Sequence, residues 1–172
     1  IAHLPLDERV KEMGKKDIKA KILSEDPIKG STFPLINRIG YAQMYRFGSP
    51  PNYNPKPEDS IESLAKKSGI TSAELAYEIL MENVGNNFIY APLVNYAEHT
   101  FDVCQKMLED KNAIMGLGDG GAHVGFILDA GYPTWLISYW SVKKKVFSME
   151  ETIRRLTSDT ASAAGLKDRG CL

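Results

Sequence analysis

The run NAIMGLGDGGAHVGF, residues 112–126, joins a short apolar stretch to a glycine cluster that holds one aspartate, Asp119, and one histidine, His123. Gly116, Gly118 and Gly121 satisfy G-x-G-x-x-G, so the glycines either cradle a phosphate or make room around Asp119. A dinucleotide-binding turn opens straight into a helix and is followed by an acid about 20 residues further on. Here Asp119 lies inside the turn, where its charge opposes a pyrophosphate, and Asp129 follows Gly121 by only eight residues, just ahead of Gly131 and Pro133. The context fails as a nucleotide site. A strand written AIM that delivers a carboxylate to a glycine-rich turn fits the C-terminal end of a parallel strand, where barrel enzymes place catalytic groups. The alternative is an aspartate that only hydrogen-bonds the amides of its own turn. His123, four residues on, sits where flexible backbone lets the two side chains converge, or else is a solvent-facing loop histidine.

Upstream, FIYAPLV at residues 88–94 is a second short run rich in aromatic and β-branched residues. The polar corner NYAEH follows it, and then Phe101, Val103, Cys104, Met107 and Leu108 at helical spacing. Two strands with a helix between them predict a βαβ unit and a parallel sheet, with functional residues where the strands end. Beyond the glycines, Ser148 and Glu151 fit a capping box for a helix carrying Ile153 and Leu156, and SDTASAAGL continues helically to Gly165.

Further upstream the pattern is mostly helical. Ile61, Leu64 and Ala65 form one apolar stripe, and Leu75, Ile79 and Leu80 form another after Gly69, with Thr71 and Glu74 in capping-box register. Val10, Met13, Ile18, Ile22 and Leu23 predict two short amphipathic helices divided at Gly14. Residues 27–57 hold six of the nine prolines, four of them within SPPNYNPKP, so this stretch is not one regular element. Its middle, PLINRIGYAQMYRF, has room for a short strand.

Composition narrows the classes. The chain of 172 residues, 43% hydrophobic and 25% charged, is long enough to bury one core of useful size, and its formal charge of −1 gives no reason to expect nucleic acid or an anionic membrane as partner. The helix pair at 58–83 has the outline of a helix-turn-helix, but Glu58, Asp59, Glu62, Glu74, Glu78 and Glu82 outnumber Lys66 and Lys67, a surface that a phosphate backbone repels. His3, His99 and His123 are the only histidines, and no two have the spacing of a zinc-binding couple. His99 reads as the polar start of a helix and His3 as part of a frayed terminus. Cys104 and Cys171 are too far apart in sequence for a disulfide framework or a metal clip, which predicts reduced thiols and a cytoplasmic location. No apolar run approaches the roughly 20 residues that span a bilayer. The chain starts at Ile1 and stops just after DRGCL, and the expectation is a piece of something longer.

With these motifs in view, GLGDGGAHVGFILDAGYPTWLISYW resembles the block around the last catalytic aspartate of the N-acyl-D-amino-acid deacylases (D-aminoacylases), members of the metal-dependent amidohydrolase superfamily. The likeness extends through MYRFGSPPNYNPKPEDSIESLAKKSGI and APLVNYAEHTFDV upstream and TSDTASAAGLKDRGCL downstream, covering most of the chain from about Met44. It implies an α/β fold, the C-terminal part of a TIM-type (β/α)8 barrel. About the last two β/α units and the closing helices would occupy residues 88–172, preceded by a mostly helical inserted or lid region at 1–87. Strand seven falls at about residues 88–94 and strand eight at about 112–117. The barrel alone takes around 250 residues. The β-sandwich, the N-terminal half of the barrel and the family's H-x-H therefore have no counterpart here.

By position Asp119 matches the aspartate that ends strand eight, a metal ligand and the general base and acid of the family. There, one or two zinc ions activate a water and polarise the substrate carbonyl, while the aspartate moves the proton from that water to the departing amine. His123, Asn95 and Tyr96 fall where the family's loops meet substrate. Gly118 stands where the family has serine. The implied activity is hydrolysis of the amide of a small-molecule N-acyl-D-amino acid or a related substrate, by a fragment expected to be inactive alone and to need its N-terminal half or self-association. The alternative is a non-catalytic fragment or interaction module that keeps the barrel's helices without its chemistry.

Overall fold

The computed structural model describes residues 1–25, 39–92, 94–116 and 129–171, which pack as two units, Ile1–Val103 and Cys104–Leu172. Asp119, His123 and Leu117 lie outside the described residues.

In the first unit the divided amphipathic pattern becomes α1 (Leu6–Met13) and α2 (Lys16–Ser24), separated at Gly14. A short strand, β1 (Tyr45–Phe47), lies within the proline-rich stretch, and α3 (Ile61–Ser68) and α4 (Ser72–Gly85) follow. Local chemistry sets the helix ends. Ser60 Oγ accepts from the Ser63 amide at 3.2 Å, and Thr71 Oγ1 accepts from the Glu74 amide at 3.2 Å. At the end of α3, Gly69 turns into the left-handed region at φ +69°, which lets the Ile70 amide reach the Ala65 carbonyl at 3.2 Å. α4 loses helical geometry from Glu82 onward, where Asn83 and Val84 take positive φ.

Ile61, Ala76 and Ile79 form the buried centre, with Tyr41, Met44, Leu75 and Ile89 packed around them. The Ile61 amide donates to the Met44 carbonyl at 2.8 Å, so the start of α3 is tied to the residue that precedes β1. α1 docks on α4: the Tyr77 hydroxyl donates to the Met13 carbonyl at 2.5 Å, and a Cβ at Gly85 would meet Val10 at 2.5 Å. From α2, Lys19 pairs with Glu74 at 2.9 Å and Glu78 at 3.1 Å, hydrogen bonds that raise its pKa.

β2 (Phe88–Tyr90) pairs antiparallel with β1, matching Tyr45 to Tyr90, Arg46 to Ile89 and Phe47 to Phe88. The sequence pattern also places this run parallel to a strand at about 112–117, of which residue 117 lies outside the described residues. Residues 113–116 belong to no strand, and among the described residues the sheet has two strands. The ladder unites aromatic residues on matching faces, with Phe47 and Phe88 at 6.5 Å and Tyr45 and Tyr90 at 6.4 Å between ring centres, the kind of cross-strand pair that stabilises a short sheet. The two units divide inside α5 (Asp102–Glu109).

The second unit centres on α6 (Tyr132–Trp135) and the π-helical segment Leu136–Lys143 that continues it. Its wider turn is visible in the Lys144 amide reaching the Tyr139 carbonyl at 2.8 Å. Leu136, Tyr139, Trp140 and Phe147 are buried, with Trp135 stacked on Tyr139 at 4.3 Å. α7 (Met149–Leu156) begins where Ser148 Oγ accepts from the Glu151 amide at 3.1 Å, and α8 (Ser158–Ala163) follows a break at Thr157. Among the described residues no helix is long and apolar enough to cross a membrane.

Ile79 is 0% exposed. Ile79→Ala is expected to lower unfolding free energy by about 2–5 kcal/mol, the cost of lost burial plus a cavity. Urea denaturation followed by circular dichroism checks this; a loss below about 1 kcal/mol would mean that the centre of the first unit lies elsewhere.

Candidate functional site

Of the residues singled out from sequence, Asn95 and Tyr96 fall in the first unit. They open the corner between β2 and α5. Asn95 is exposed and left-handed at φ +64°, and His99, at the other end of the corner, is left-handed at φ +56°. Two such residues within five reverse the chain sharply, and the His99 amide closes the turn on the Tyr96 carbonyl at 3.1 Å.

Tyr96 points inward and is 2% exposed. Its hydroxyl lies 2.7 Å from Asn54 Oδ1 and 2.7 Å from the Pro55 carbonyl oxygen, two acceptors that share its single proton. The loop beneath is itself fixed, since Asn52 Oδ1 accepts from the Asn54 amide at 3.0 Å. Its ring packs against Phe101 at 4.7 Å and edge-on to His99 at 6.3 Å. The Gln43 side chain donates to the Ala97 carbonyl at 3.2 Å, which pins the middle of the corner.

The half-buried His99 joins this constellation, although its sequence position reads only as a helix start; α5 begins later, at Asp102. Its Nδ1 lies 2.5 Å from the hydroxyl of Tyr45, which is 2% exposed. With Tyr45 donating, the imidazole carries its proton on Nε2. Burial pushes the Tyr45 hydroxyl above its ordinary value, and the carboxylate of Asp59 adds to this. The pair is a hydrogen-bonded acid and base. The signal for Tyr45 is the alternation in YRF, which sets Tyr45 and Phe47 on one face of the strand. Nothing local couples it to His99, a contact across 54 positions.

Among the described residues no cluster of three or more His, Cys, Asp or Glu is placed to hold a metal ion, so the described residues do not supply a zinc site. Burial pushes the Cys104 thiol up, away from the thiolate that nucleophilic chemistry needs. No protein family, characterised protein or solved structure matches this chain.

Tyr45→Phe removes one buried hydroxyl and is expected to cost about 1 kcal/mol at neutral pH. The native pKa of this tyrosine lies above its unfolded value near 10, so its contribution is complete below pH 10 and is lost as pH rises through the native value. The stability gap between wild type and variant should therefore close above pH 10. Urea midpoints at pH 7, 9 and 10.5 read this directly, and a gap independent of pH would show that the Tyr45 hydroxyl keeps its proton equally well in both states.

Proposed function

We propose that these residues belong to a metal-dependent amidohydrolase that cleaves the amide of an N-acyl-D-amino acid or a related small molecule. The observation that carries this reading is the order of the matched blocks, MYRFGSPPNYNPKPEDSIESLAKKSGI, then APLVNYAEHTFDV, then GLGDGGAHVGFILDAGYPTWLISYW. The spatial relation of the first two supports it. Tyr96 of the second block is anchored on Asn54 and Pro55 of the first, so two stretches far apart in sequence form one built corner. The fold proposed for the whole is the TIM-type barrel, with this chain as its closing part.

Asp119 is the residue assigned to the reaction. Its carboxylate takes a proton from the attacking water as the new C–O bond forms at the amide carbonyl. It returns that proton to the nitrogen as the C–N bond breaks, releasing an acid and an amine. Asn95, Tyr96 and His123 are proposed on the substrate side; of these, Tyr96 presents no exposed hydroxyl, and Asn95 lies exposed at the corner. Zinc enters through the resemblance, with Asp119 as the residue proposed to touch it. No step here runs through the ion. A cytoplasmic location is proposed from the wide sequence separation of Cys104 and Cys171, which fits no disulfide framework.

A second reading, an interaction module without chemistry, is favoured by apolar side chains left open to solvent, among them Phe88 at 61%, Val94 at 69% and Val142 at 59% exposed. Activity separates the two. In a polypeptide that joins these residues to an H-x-H-bearing N-terminal barrel half, Asp119→Asn is expected to lower kcat by about 10²–10⁴-fold with little change in metal-free stability. The 172-residue chain alone, with zinc added, should release no amine from N-acetyl-D-amino acids. Retained turnover in the asparagine variant would sink the assignment of Asp119.

A further inference from the structure

The second unit contains an open groove of about 410 Å³ between the turn after α5 and the pair α7 and α8. Lys111 and Ile114 border it on one side and Arg154, Asp159 and Ala163 on the other. Its size falls in the lower part of the range of small-molecule sites, about 300–1,000 Å³.

The walls are held in place. Asp110 Oδ1 accepts from the Asn112 amide at 2.8 Å, and the Ala113 amide closes on the Asp110 carbonyl at 3.1 Å, which fixes the turn carrying Lys111. Arg155 joins the end of α5, just ahead of that turn, to α7. Its Nη1 donates to the Leu108 carbonyl at 2.8 Å, its Nε and Nη2 reach Glu151 at 3.0 Å and 2.9 Å, and its guanidinium lies 4.5 Å above the Phe147 ring. Arg155 is therefore committed to the scaffold. Arg154 is oriented by Asp159, to which Nη1 donates at 2.8 Å. Its Nη2 stands 3.9 Å from Glu151, beyond hydrogen-bond reach, so the rest of its fork keeps donors to offer. Lys111 makes no ion pair among the described residues.

The charge balance indicates the valence of a ligand. Of the three cations that line the groove, Arg154 is paired with Asp159 and Arg155 with Glu151, which does not itself line it, so Lys111 is left as the one positive charge without an ion pair among the described residues. A monoanion neutralises it, whereas a dianion is repelled by Asp159 and overshoots the balance. Half of the chemistry is apolar: Ile114 is 55% exposed on the turn, opposite Ala163. We propose that this groove binds a monocarboxylate with a short aliphatic chain. Its carboxylate lies between the Lys111 ammonium and the Arg154 guanidinium, and its chain lies against Ile114 and Ala163. This site stands on its own, separately from the role given to Asp119.

The probe is hexanoate, titrated into the full chain and followed by NMR at the Ile114 methyls and the Arg154 Nε–H, with acetate, hexan-1-ol and inorganic phosphate as comparisons. Hexanoate is expected to shift both signals together and saturably, with acetate and hexan-1-ol at least fivefold weaker. Lys111→Met, a change at an exposed side chain, should weaken hexanoate at least fivefold while leaving the urea midpoint unchanged, and Ile114→Glu should weaken it as well. Equal binding of hexan-1-ol, unchanged binding by Lys111→Met, or shifts spread over lysines elsewhere on the surface would overturn the site. Phosphate binding tighter than hexanoate would overturn the monocarboxylate assignment.

Discussion

The first unit depends on the antiparallel pairing of Tyr45–Phe47 with Phe88–Tyr90. Closing a loop of this length costs conformational entropy before any contact is returned. Three residues of ladder offset only part of it, and the buried cluster of Ile61, Ala76 and Ile79 supplies much of the rest. The two are coupled: Ile89 of β2 packs on the cluster, and the Met44 carbonyl accepts from the Ile61 amide, so the strand cannot shift register without pulling on the first turn of α3. From that pairing follows the position of residues 94–99, the corner that Tyr96 then anchors.

What was legible in the sequence is what local chemistry decides. The division of the N-terminal helices at Gly14, the cap at Thr71 and the cap at Ser148 each depend on residues within a turn of one another, and each appears in the structure. The partner of β2 was not legible. FIYAPLV and NAIMGLG are both short apolar runs, and periodicity does not say which distant run a strand will join. The aromatic match between YRF and FIY becomes visible only once the register is known. The π-helical turn escaped for a related reason: LISYWSV is apolar nearly throughout, so it carries no helical stripe, and its widened turn accompanies the packing of Tyr139 and Trp140 at a ring distance of 5.1 Å.

The candidate residues divide along the same line. Asp119 and His123, the strongest local signal, lie outside the described residues, and their assignment stays with the motif that contains them. Asn95 and Tyr96 were singled out as neighbours in sequence, yet the fold sends them in opposite directions, one exposed and one buried. His99 reads from the sequence only as the start of a helix because its partner, Tyr45, is remote. A histidine at a positive φ has the look of an incidental turn residue until a buried tyrosine is found against its ring nitrogen.

Three tyrosines in the first unit show how a modest core positions long loops. Tyr45 reaches His99, Tyr77 reaches the Met13 carbonyl and Tyr96 reaches the Pro55 carbonyl, across 54, 64 and 41 positions respectively. Each ring contributes apolar area, which is non-directional, and each hydroxyl adds a directional contact worth about 1 kcal/mol net. Leaving such a hydroxyl buried and unpaired costs about 1–3 kcal/mol, so the penalty for a misplaced loop exceeds the gain for a correct one. Specificity of placement therefore comes from the cost of alternatives more than from the strength of the bond. The same logic bears on the corner as a ligand surface. With its hydroxyl shared between Asn54 and Pro55, Tyr96 sets the position of the corner, and a molecule approaching from solvent meets the exposed Asn95 first.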